Sequence, residues 1–367
     1  MTVLLGRGEC GSHVTLIFTV NDDSTNLDEQ GSVGVGLCLD HGVEIIARGI
    51  EGDFKINIKF IEGDGESELY QQVFKLLSEK IINIKNYTWD LAIKLKLPIS
   101  QGFGMSASGA IAACMAIQRA IGEPHEESLR RSLSIAHRVE RYFSTGLGDV
   151  TALAAGGVER RISPGSPFSG DLLTKGPGVS EGWNEEIEVL LAWKKDTGKH
   201  TSSYIDDTNW KKSITEAGIK QMNELKQNEW DKTRWSELLE RSEIFAEESG
   251  LLSDSQRFEL LSEAKNIIEE SSLEFKPLLC MLGKSLVIVP KNIDNTNDNL
   301  ELSKLISELN KEGFTTKKTR VGLYSDFSLM LSWKVANGAR SNGLESSKIA
   351  PFKVKVSQKP CLYTIAP

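Results

Sequence analysis

The sequence predicts an α+β protein that folds as two lobes. Three observations lead to this prediction. The chain has 367 residues, more than an ordinary single domain requires. Strand patterns dominate its first hundred residues, whereas helical spacing dominates most of the remaining chain. A stretch rich in proline, glycine and serine separates the two halves.

Strands alternating with turns dominate the predicted first lobe. The predicted strands are TVLL, HVTLIFTV, VGVGLCL, VEIIARGI, FKINIKFI and DLAIKLKLPI, with one helical interval near residues 67–83. Helical spacing of apolar residues predicts two further helices, from Ser106 to Ile121 and from Glu126 to Tyr142. We therefore expect a β-rich lobe with an inserted helix.

The boundary between the lobes is predicted in SPGSPFSGDLLTKGPG, residues 163–178, which gives a first lobe of 1–175 and a second of 176–335. The second lobe is predicted as α+β. Its predicted elements are the strands EVLLAWK and SLVIVP and helices near 209–228, 232–249, 255–272 and 300–312. Residues 336–367 form a C-terminal extension without an assigned role, in which only FKVKV indicates a strand.

Composition and charge limit the classes of protein to which the chain can belong. The chain has 43 Lys and Arg against 51 Asp and Glu, and a net charge of −8 argues against a nucleic-acid surface, which needs a basic face. Its five cysteines lack the paired spacing of a zinc ribbon and indicate reduced thiols. No signal peptide or membrane span is recognisable. We expect a cytoplasmic protein that binds neither nucleic acid nor membrane.

Two glycine-rich stretches near the N-terminus are interpreted as turns. GRGECG, Gly6 to Gly11, has dinucleotide-fingerprint spacing, but a Rossmann site needs a helix after the third glycine. SHVTLIFTV follows instead and favours a strand, so a turn between two strands is the preferred interpretation. GSVGVG, Gly31 to Gly36, is interpreted as a turn entering a strand, where Ser32 offers a hydroxyl.

A third glycine-rich stretch, within residues 98–110, predicts an anion site. It lies between a strand that ends at Pro98 and an alanine-rich helix. Glycines let consecutive N–H groups surround an anion, and the dipole of the following helix favours phosphate. The stretch lacks the Gly-Lys-Ser/Thr triplet of a Walker loop, so phosphate charge must be neutralised by Mg²⁺ and other side chains. The alternative is a helix packed tightly against a neighbour through small residues.

These residues resemble a known motif. Pro98, Gly102, Gly104, Ser106 and the alanine-rich helix are similar to the phosphate-binding motif of the GHMP kinase superfamily. Within that superfamily, the stretches GSHVTLIF, GSVGVGLCLDHGV, GFGMSASGA, AHRVERYFSTGLGDVTALAAGGVERRISPG and CMLGKSLVIV resemble the archaeal pantoate kinases. The resemblance covers roughly residues 6–290. Ser12 departs from it, because a glycine is usual at that position.

The resemblance implies the two-lobed GHMP kinase fold, with a first lobe like domain 2 of ribosomal protein S5 and an α+β second lobe. It implies ATP-dependent phosphorylation of the primary hydroxyl of pantoate to 4-phosphopantoate, a step in coenzyme A biosynthesis. ATP and Mg²⁺ are the implied cofactors, and a homodimer is the implied assembly. The implied ATP-binding residues are Gly102, Gly104, Ser106, Ala107, Ser108 and Gly109.

Phosphoryl transfer needs a metal, fixed geometry and an acceptor for the hydroxyl proton. The resemblance implies that Ser106, Glu140 and Asp149 are catalytic, with Ser106 and Glu140 at the metal and Asp149 at the hydroxyl proton. Taken without the resemblance, Ser106 is also a suitable N-cap, Glu140 a solvated helix residue and Asp149 the N-cap of a following helix.

Pantoate is a carboxylate with two hydroxyls, so its site should offer a cation and hydroxyl or imidazole groups. The resemblance implies Ser32, His137 and Arg161 as its binding residues. Arg160 competes with Arg161, because adjacent strand residues face opposite ways. His137 lies on the helix face of Glu140, although a lone helical histidine is often structural. The role of His13 stays undecided.

Two alternatives remain open. One is a GHMP kinase for mevalonate, homoserine or a sugar, from which the AHRVER, TGLGDV and GGVERR block separates this chain. The other is a non-catalytic metabolite-binding relative, against which the presence of Ser106, Glu140 and Asp149 argues.

Overall fold

The computed structural model of the chain describes residues 3–194, 208–294 and 299–322. The first half contains strands β1 (Val3–Phe18), β2 (Gly34–Glu51), β3 (Lys55–Glu62) and β4 (Tyr87–Leu95). Its helices are α1 (Ser67–Lys80), α2 (Met105–Ala120), α3 (His125–Phe143) and α4 (Asp149–Ala155). Then come β5 (Val158–Ser163), the short pair β6 (Phe168–Ser169) and β7 (Thr174–Lys175), and β8 (Val179–Trp183).

The second half mixes helices and strands in the predicted way. Its strands are β9 (Ile187–Trp193), β10 (Phe275–Leu279), β11 (Ser285–Pro290) and β12 (Thr315–Val321). Its helices are α5 (Thr208–Leu225), α6 (Trp235–Glu248), α7 (Ser255–Glu270) and α8 (Asn299–Lys311). The sequence patterns did not indicate β8, β10 or β12. The proposed extension 336–367, with FKVKV, lies outside the described residues.

Strands from both halves join one sheet. Ten strands of the described chain form it, in the order β10-β11-β9-β12-β2-β4-β3, with β1 and β5 also paired to β2 and β8 paired to β5. Of these pairings only β3 with β4 is parallel. The predicted boundary lies between β5 and β8, which pair with each other. The division into lobes of 1–175 and 176–335 therefore stays a prediction. Among the described helices, none has the length and apolar character to cross a membrane.

The prediction of a turn at GRGECG was wrong. These residues lie inside β1, which pairs with β2 along almost its whole length. Their glycines instead allow close packing: a Cβ at Gly6 would lie 2.1 Å from the Ala116 carbonyl oxygen, and one at Gly8 would lie 2.0 Å from that of Ala112. Because both atoms belong to the backbone of α2, the glycines bring the strand directly against the helix. The Rossmann alternative is also excluded, because the strand continues where that site needs a helix.

Gly8→Ala is expected to destabilise the protein by about 3 kcal/mol, because the methyl group must push β1 away from the backbone of α2. The measurement is the free energy of unfolding from urea denaturation. Gly52→Ala is the matched control, since its nearest neighbour would be Thr88 Oγ1 at 3.6 Å, an ordinary contact. Equal stabilities for the two variants would contradict the packing role of Gly8.

Candidate active site

A cavity of about 380 Å³ opens at the N-terminus of α2. The loop before α2 and the loop between α3 and α4 both line it. The first turn of α1 and the turn between β10 and β11 complete it through Leu69, Tyr70, Met281 and Leu282. The cavity therefore gathers segments that are far apart in the chain, including three of the stretches singled out in the sequence.

The loop before α2 has the geometry of an anion site. Gly102 and Gly104 adopt positive φ angles of 79° and 60°, and Gly104 is the N-cap of α2. Gly104 has no side chain that could cap this helix end, and the helix end lines the cavity, so its first N–H groups can bind a ligand there. A Cβ at Gly283 would lie 2.0 Å from the Gln101 carbonyl oxygen, so the turn between β10 and β11 supports the loop from behind.

The predicted ATP-binding residues divide into two groups. Gly102, Gly104 and Ser106 line the cavity. Ala107, Ser108 and Gly109 are buried away from its lining. The Ser108 hydroxyl donates to the Cys10 carbonyl at 2.8 Å and accepts the Val43 N–H at 3.0 Å. Ser108 thus ties α2 to β1 and β2, and the structure does not bring its hydroxyl to the cavity.

Two carboxylates converge beside the loop. Glu140 lies in the last turn of α3 and is 2% exposed, while Asp149 begins α4 with 17% of its side chain exposed. Gly146 separates them: a Cβ there would lie 1.9 Å from Glu140 Oε2 and 2.7 Å from Asp149 Oδ2. The missing side chain therefore leaves space in which both oxygens face one point. A Cβ at Gly104 would lie 3.2 Å from Asp149 Oδ1, so the phosphate loop adjoins this pair.

The two carboxylates differ in pKa. Burial raises the pKa of Glu140 to about 7, and the negative charge of Asp149 adds to this, whereas the hydroxyls of Ser106 and Thr145 oppose it. Burial alone would also raise the pKa of Asp149, but the hydrogen bond from His13 outweighs it and holds the pKa below its ordinary value. Asp149 is therefore ionised at neutral pH and can accept a hydrogen bond from a hydroxyl.

The residues present fit a magnesium ion. Thr145 Oγ1 donates to Glu140 Oε1 at 2.7 Å, but the buried Oε2 has no hydrogen-bond partner within the described ranges. A buried carboxylate oxygen without a partner is costly unless a cation compensates it. Ser106, on the cavity wall, supplies a hydroxyl oxygen. The described residues contain no cluster of three His, Cys, Asp or Glu ligands, so a magnesium ion here would need phosphates and water to complete its coordination.

Arg161 belongs to the cavity wall and Arg160 does not. Arg161 is fully buried, and its Nη1 donates to Glu159 Oε1 at 3.0 Å while Nη2 donates to the Ile17 carbonyl at 3.3 Å. No described residue accepts a hydrogen bond from its Nε. Arg160 turns the opposite way, where it pairs with Glu181 and stacks on Trp230. The alternation expected along a strand therefore gives Arg161 the cavity side.

His13, left undecided by the sequence, is fully buried behind Asp149. Its Nδ1 lies 2.7 Å from Asp149 Oδ1, and its Nε2 lies 3.0 Å from Glu159 Oε1. Burial alone would lower the pKa of His13, but the hydrogen bonds to Asp149 and Glu159 outweigh it and raise the pKa. One buried cluster thus joins Asp149, His13, Glu159 and Arg161.

The other two predicted substrate residues, Ser32 and His137, differ in their position relative to the cavity. Ser32 is buried at the cavity wall. His137 is also buried, but it does not line the cavity; its Nε2–H donates to the Leu27 carbonyl at 3.0 Å. Arg138, its neighbour, holds Asp28 through two hydrogen bonds of 2.7 Å. In this structure the histidine therefore fixes the segment that leads to Ser32.

His137 is expected to make the protein acid-sensitive. Burial lowers its pKa to about 4, against 6.5 in an unfolded chain. The unfolded state thus binds the extra proton first, so stability is lost as pH falls from about 6.5 to about 4, by at most about 3 kcal/mol. Urea denaturation at pH 7.5, 6 and 5 should show a smaller loss for His137→Gln. His41→Gln, at a partly exposed histidine, is the control; equal losses in wild type and His137→Gln would contradict the assignment.

Several site residues were not identified from the sequence. Glu159 has the appearance of an exposed strand residue within VERR but is fully buried. Thr145 orients Glu140, and Gly146 leaves space between the carboxylates. The glycines around Leu147 were the available signal for this loop. Nothing in the local pattern could place Glu159 against His13, because their contact joins distant strands.

Comparisons with known proteins support the predicted resemblance. Residues 68–157 match the model of the GHMP kinases N terminal domain. A solved structure described as a phosphotransferase related to the coenzyme A biosynthesis pathway superposes with a TM-score of 0.68 at 24% identity, over 87% of this chain and 96% of the other. The chain is therefore similar to the GHMP kinases and has their α+β fold, as predicted.

Curated relatives indicate which kind of GHMP kinase the chain resembles. The pantoate kinase of Thermococcus kodakarensis is 27% identical over 312 residues, which cover 84% of this chain and 93% of the relative. The pantoate kinase of Methanocaldococcus jannaschii is 26% identical over 300 residues, 80% of this chain and 95% of the relative. The predicted relationship to the archaeal pantoate kinases is thus confirmed.

Proposed function

We propose that this protein is an ATP-dependent pantoate kinase, which transfers the γ-phosphoryl group to the primary hydroxyl of pantoate and forms 4-phosphopantoate for coenzyme A biosynthesis. The observation that carries the proposal is the composition of one cavity wall. Asp149 adjoins the N-terminus of α2, and the guanidinium of Arg161 lies in the same wall with its Nε–H unpartnered among the described residues. A phosphate site, a proton acceptor and a carboxylate site are therefore neighbours.

The proposed roles follow from this arrangement. The N–H groups at the start of α2 hold the transferring phosphate, with the helix dipole favouring its charge. Asp149, through Oδ2 on the Gly146 side, accepts the hydrogen bond of the attacking hydroxyl and orients it. Ser106 and Glu140 hold Mg²⁺, which neutralises phosphate charge when bound. Arg161 pairs with the pantoate carboxylate, and Ser32 contacts its hydroxyls.

Three parts of the proposal come from the resemblance or the composition. His137 enters as a substrate residue by resemblance, although its hydrogen bond to Leu27 gives it a supporting role in this structure. A homodimer and a cytoplasmic location are likewise proposed from the resemblance and the composition. A kinase for mevalonate, homoserine or a sugar would keep the phosphate site. Of these acceptors, only a sugar lacks a carboxylate and would not need the buried arginine.

The test is ATP consumption by purified protein with Mg²⁺, offering pantoate, mevalonate, homoserine and galactose separately. Turnover with pantoate alone supports the proposal. Turnover with another acceptor would keep the phosphate site but reject the assignment of Ser32 and Arg161. ATP or metabolite binding without turnover on any acceptor would favour a non-catalytic relative.

A further inference from the structure

The cluster behind Asp149 extends beyond the proposed catalytic groups. His13 contacts a carboxylate with each ring nitrogen, Asp149 at 2.7 Å and Glu159 at 3.0 Å. Glu159 Oε1 also accepts a hydrogen bond from Arg161 at 3.0 Å, so this one oxygen joins the histidine to the arginine. A continuous chain of hydrogen bonds therefore runs from Asp149 to Arg161 through two residues that do not line the cavity.

The partners of His13 define its charge. An ionised carboxylate only accepts hydrogen bonds, so a ring nitrogen that faces one must carry a proton. Both nitrogens face carboxylates, and an imidazolium satisfies both contacts when the two carboxylates are ionised. The nearby Arg161 guanidinium, whose Nη1 lies 3.4 Å from His13 Nε2, shares the charge of Glu159. The Cys38 thiol, opposite His13 on β2, stays neutral because burial raises its pKa. Two cations and two carboxylates thus balance within the cluster.

Glycines of the GSVGVG stretch make room for the cluster. The stretch does not form the predicted turn as a whole, since Gly34 already begins β2. A Cβ at Gly36 would lie 2.3 Å from His13 Nε2 and 3.0 Å from Glu159 Oε1, and one at Gly34 would lie 2.5 Å from Arg161 Nη2. Gly34 and Gly36, two residues apart and so on the same face of β2, therefore carry no side chain, and the buried ion pairs lie against the strand at this point. The motif serves the cluster behind the cavity.

We propose that His13 and Glu159 are positioning residues of the reaction. His13, protonated on both ring nitrogens, holds Asp149 by Oδ1, so that Oδ2 stays on the Gly146 side of the cavity. Glu159 holds His13 and Arg161 at fixed positions relative to each other. The role of Asp149 and Arg161 rests on the proposed function. The inferred protonation of His13 does not, because it is argued from its contacts with Asp149 and Glu159. Glu159 accordingly couples the proton-accepting group to the group that holds the acceptor.

Kinetics separate this role from general support of the fold. His13→Gln should lower kcat about 10- to 100-fold and leave the KM for the acceptor within about twofold, because Glu159 still holds Arg161. Glu159→Gln should lower kcat similarly and also raise that KM about 5- to 10-fold. The double variant should resemble Glu159→Gln, because the two residues act in series. Rates are normalised to the folded fraction, measured as the stoichiometry of nucleotide binding.

His41→Gln is the matched control, since it removes a histidine–aspartate pair with Asp40 that lies outside the cavity lining. It should leave kcat and KM unchanged. The positioning role would be overturned by a kcat loss in His41→Gln equal to that in His13→Gln, by equal acceptor KM values in His13→Gln and Glu159→Gln, or by additive kcat losses in the double variant. Wild-type turnover with the acceptor is measured first, so failure of the proposed function is recognised separately.

A spectroscopic experiment measures the protonation of His13 without any need for turnover. Protein labelled with ¹⁵N-histidine is observed at pH 7.5, and the resonances of His13 are assigned by their loss in His13→Gln. Both ring nitrogens should be protonated in wild type, although an ordinary histidine is mostly neutral at this pH. Glu159→Gln should remove one of the two protons. A singly protonated His13 in wild type would overturn the proposal regardless of which alcohol the enzyme phosphorylates.

Discussion

Asp149→Asn is expected to lower kcat by about 10³-fold while ATP binding stays within about threefold of wild type. Asparagine keeps the size of the side chain, and its amide oxygen can still accept the hydrogen bond from His13. It cannot accept the proton of the attacking hydroxyl as a carboxylate can. The measurement is steady-state ATP consumption with pantoate, together with nucleotide affinity from calorimetry.

Asp171→Asn is the matched control for this variant. Asp171 has an exposed side chain that pairs with Lys80 on the surface, so the same change of chemistry should leave kcat unaltered. If Asp149→Asn kept more than about a tenth of the wild-type kcat, Asp149 would not be the group that orients the hydroxyl, and Glu140 would be the next carboxylate to examine.

Glu140→Gln is expected to raise the Mg²⁺ concentration required for half-maximal rate by at least about tenfold. The substitution preserves the shape of the side chain and the hydrogen bond from Thr145, but it removes the negative charge that a cation near Oε2 would need. Because the buried carboxylate is costly to ionise in the absence of a cation, the variant should also be no less stable than wild type without metal. Rates over a magnesium series and urea denaturation in chelator measure the two effects.

The control is Glu126→Gln, at an exposed position in the first turn of the same helix. It should leave the magnesium dependence unchanged. An unaltered magnesium requirement in Glu140→Gln would contradict the assignment of Glu140 to the metal and would leave the phosphate oxygens and Ser106 to supply the coordination.

Periodicity predicted the helices well and the charged strands poorly. The predicted helix 106–121 and the observed α2 agree within one residue, because its small apolar side chains are buried on every face. Strands β8 and β12 were not predicted, since VSEGW and TTKKTRV lack continuous apolar alternation. Likewise, β1 and β2 are single strands where two pairs were predicted. Glycine was interpreted as a sign of turns, whereas here it permits close approach of backbones.

The candidate site was likewise predicted from the sequence only in part. Ser106, Asp149 and Arg161 were identified from the sequence and line one cavity, and Glu140, also identified, lies against Gly146 of its wall. Each lies in a recognisable motif next to a glycine-rich loop or in a distinctive arginine pair. The pairing of His13 with Glu159 could not be predicted, because it depends on the register by which β1 and β5 flank β2. Contacts set by sheet register leave no local signal in either strand.

The burial of α2 limits how this enzyme can move. Of its 16 residues 13 are buried, and the helix packs against β1, β2, α1 and α3. Displacing it would break contacts throughout the core, so the phosphate end of the cavity is a fixed reference point. Any closure around substrates is therefore expected to involve other parts of the cavity wall, such as the segment of Gly65 and Glu66 before α1. The proposed phosphate site then stays in place while other parts of the cavity wall move.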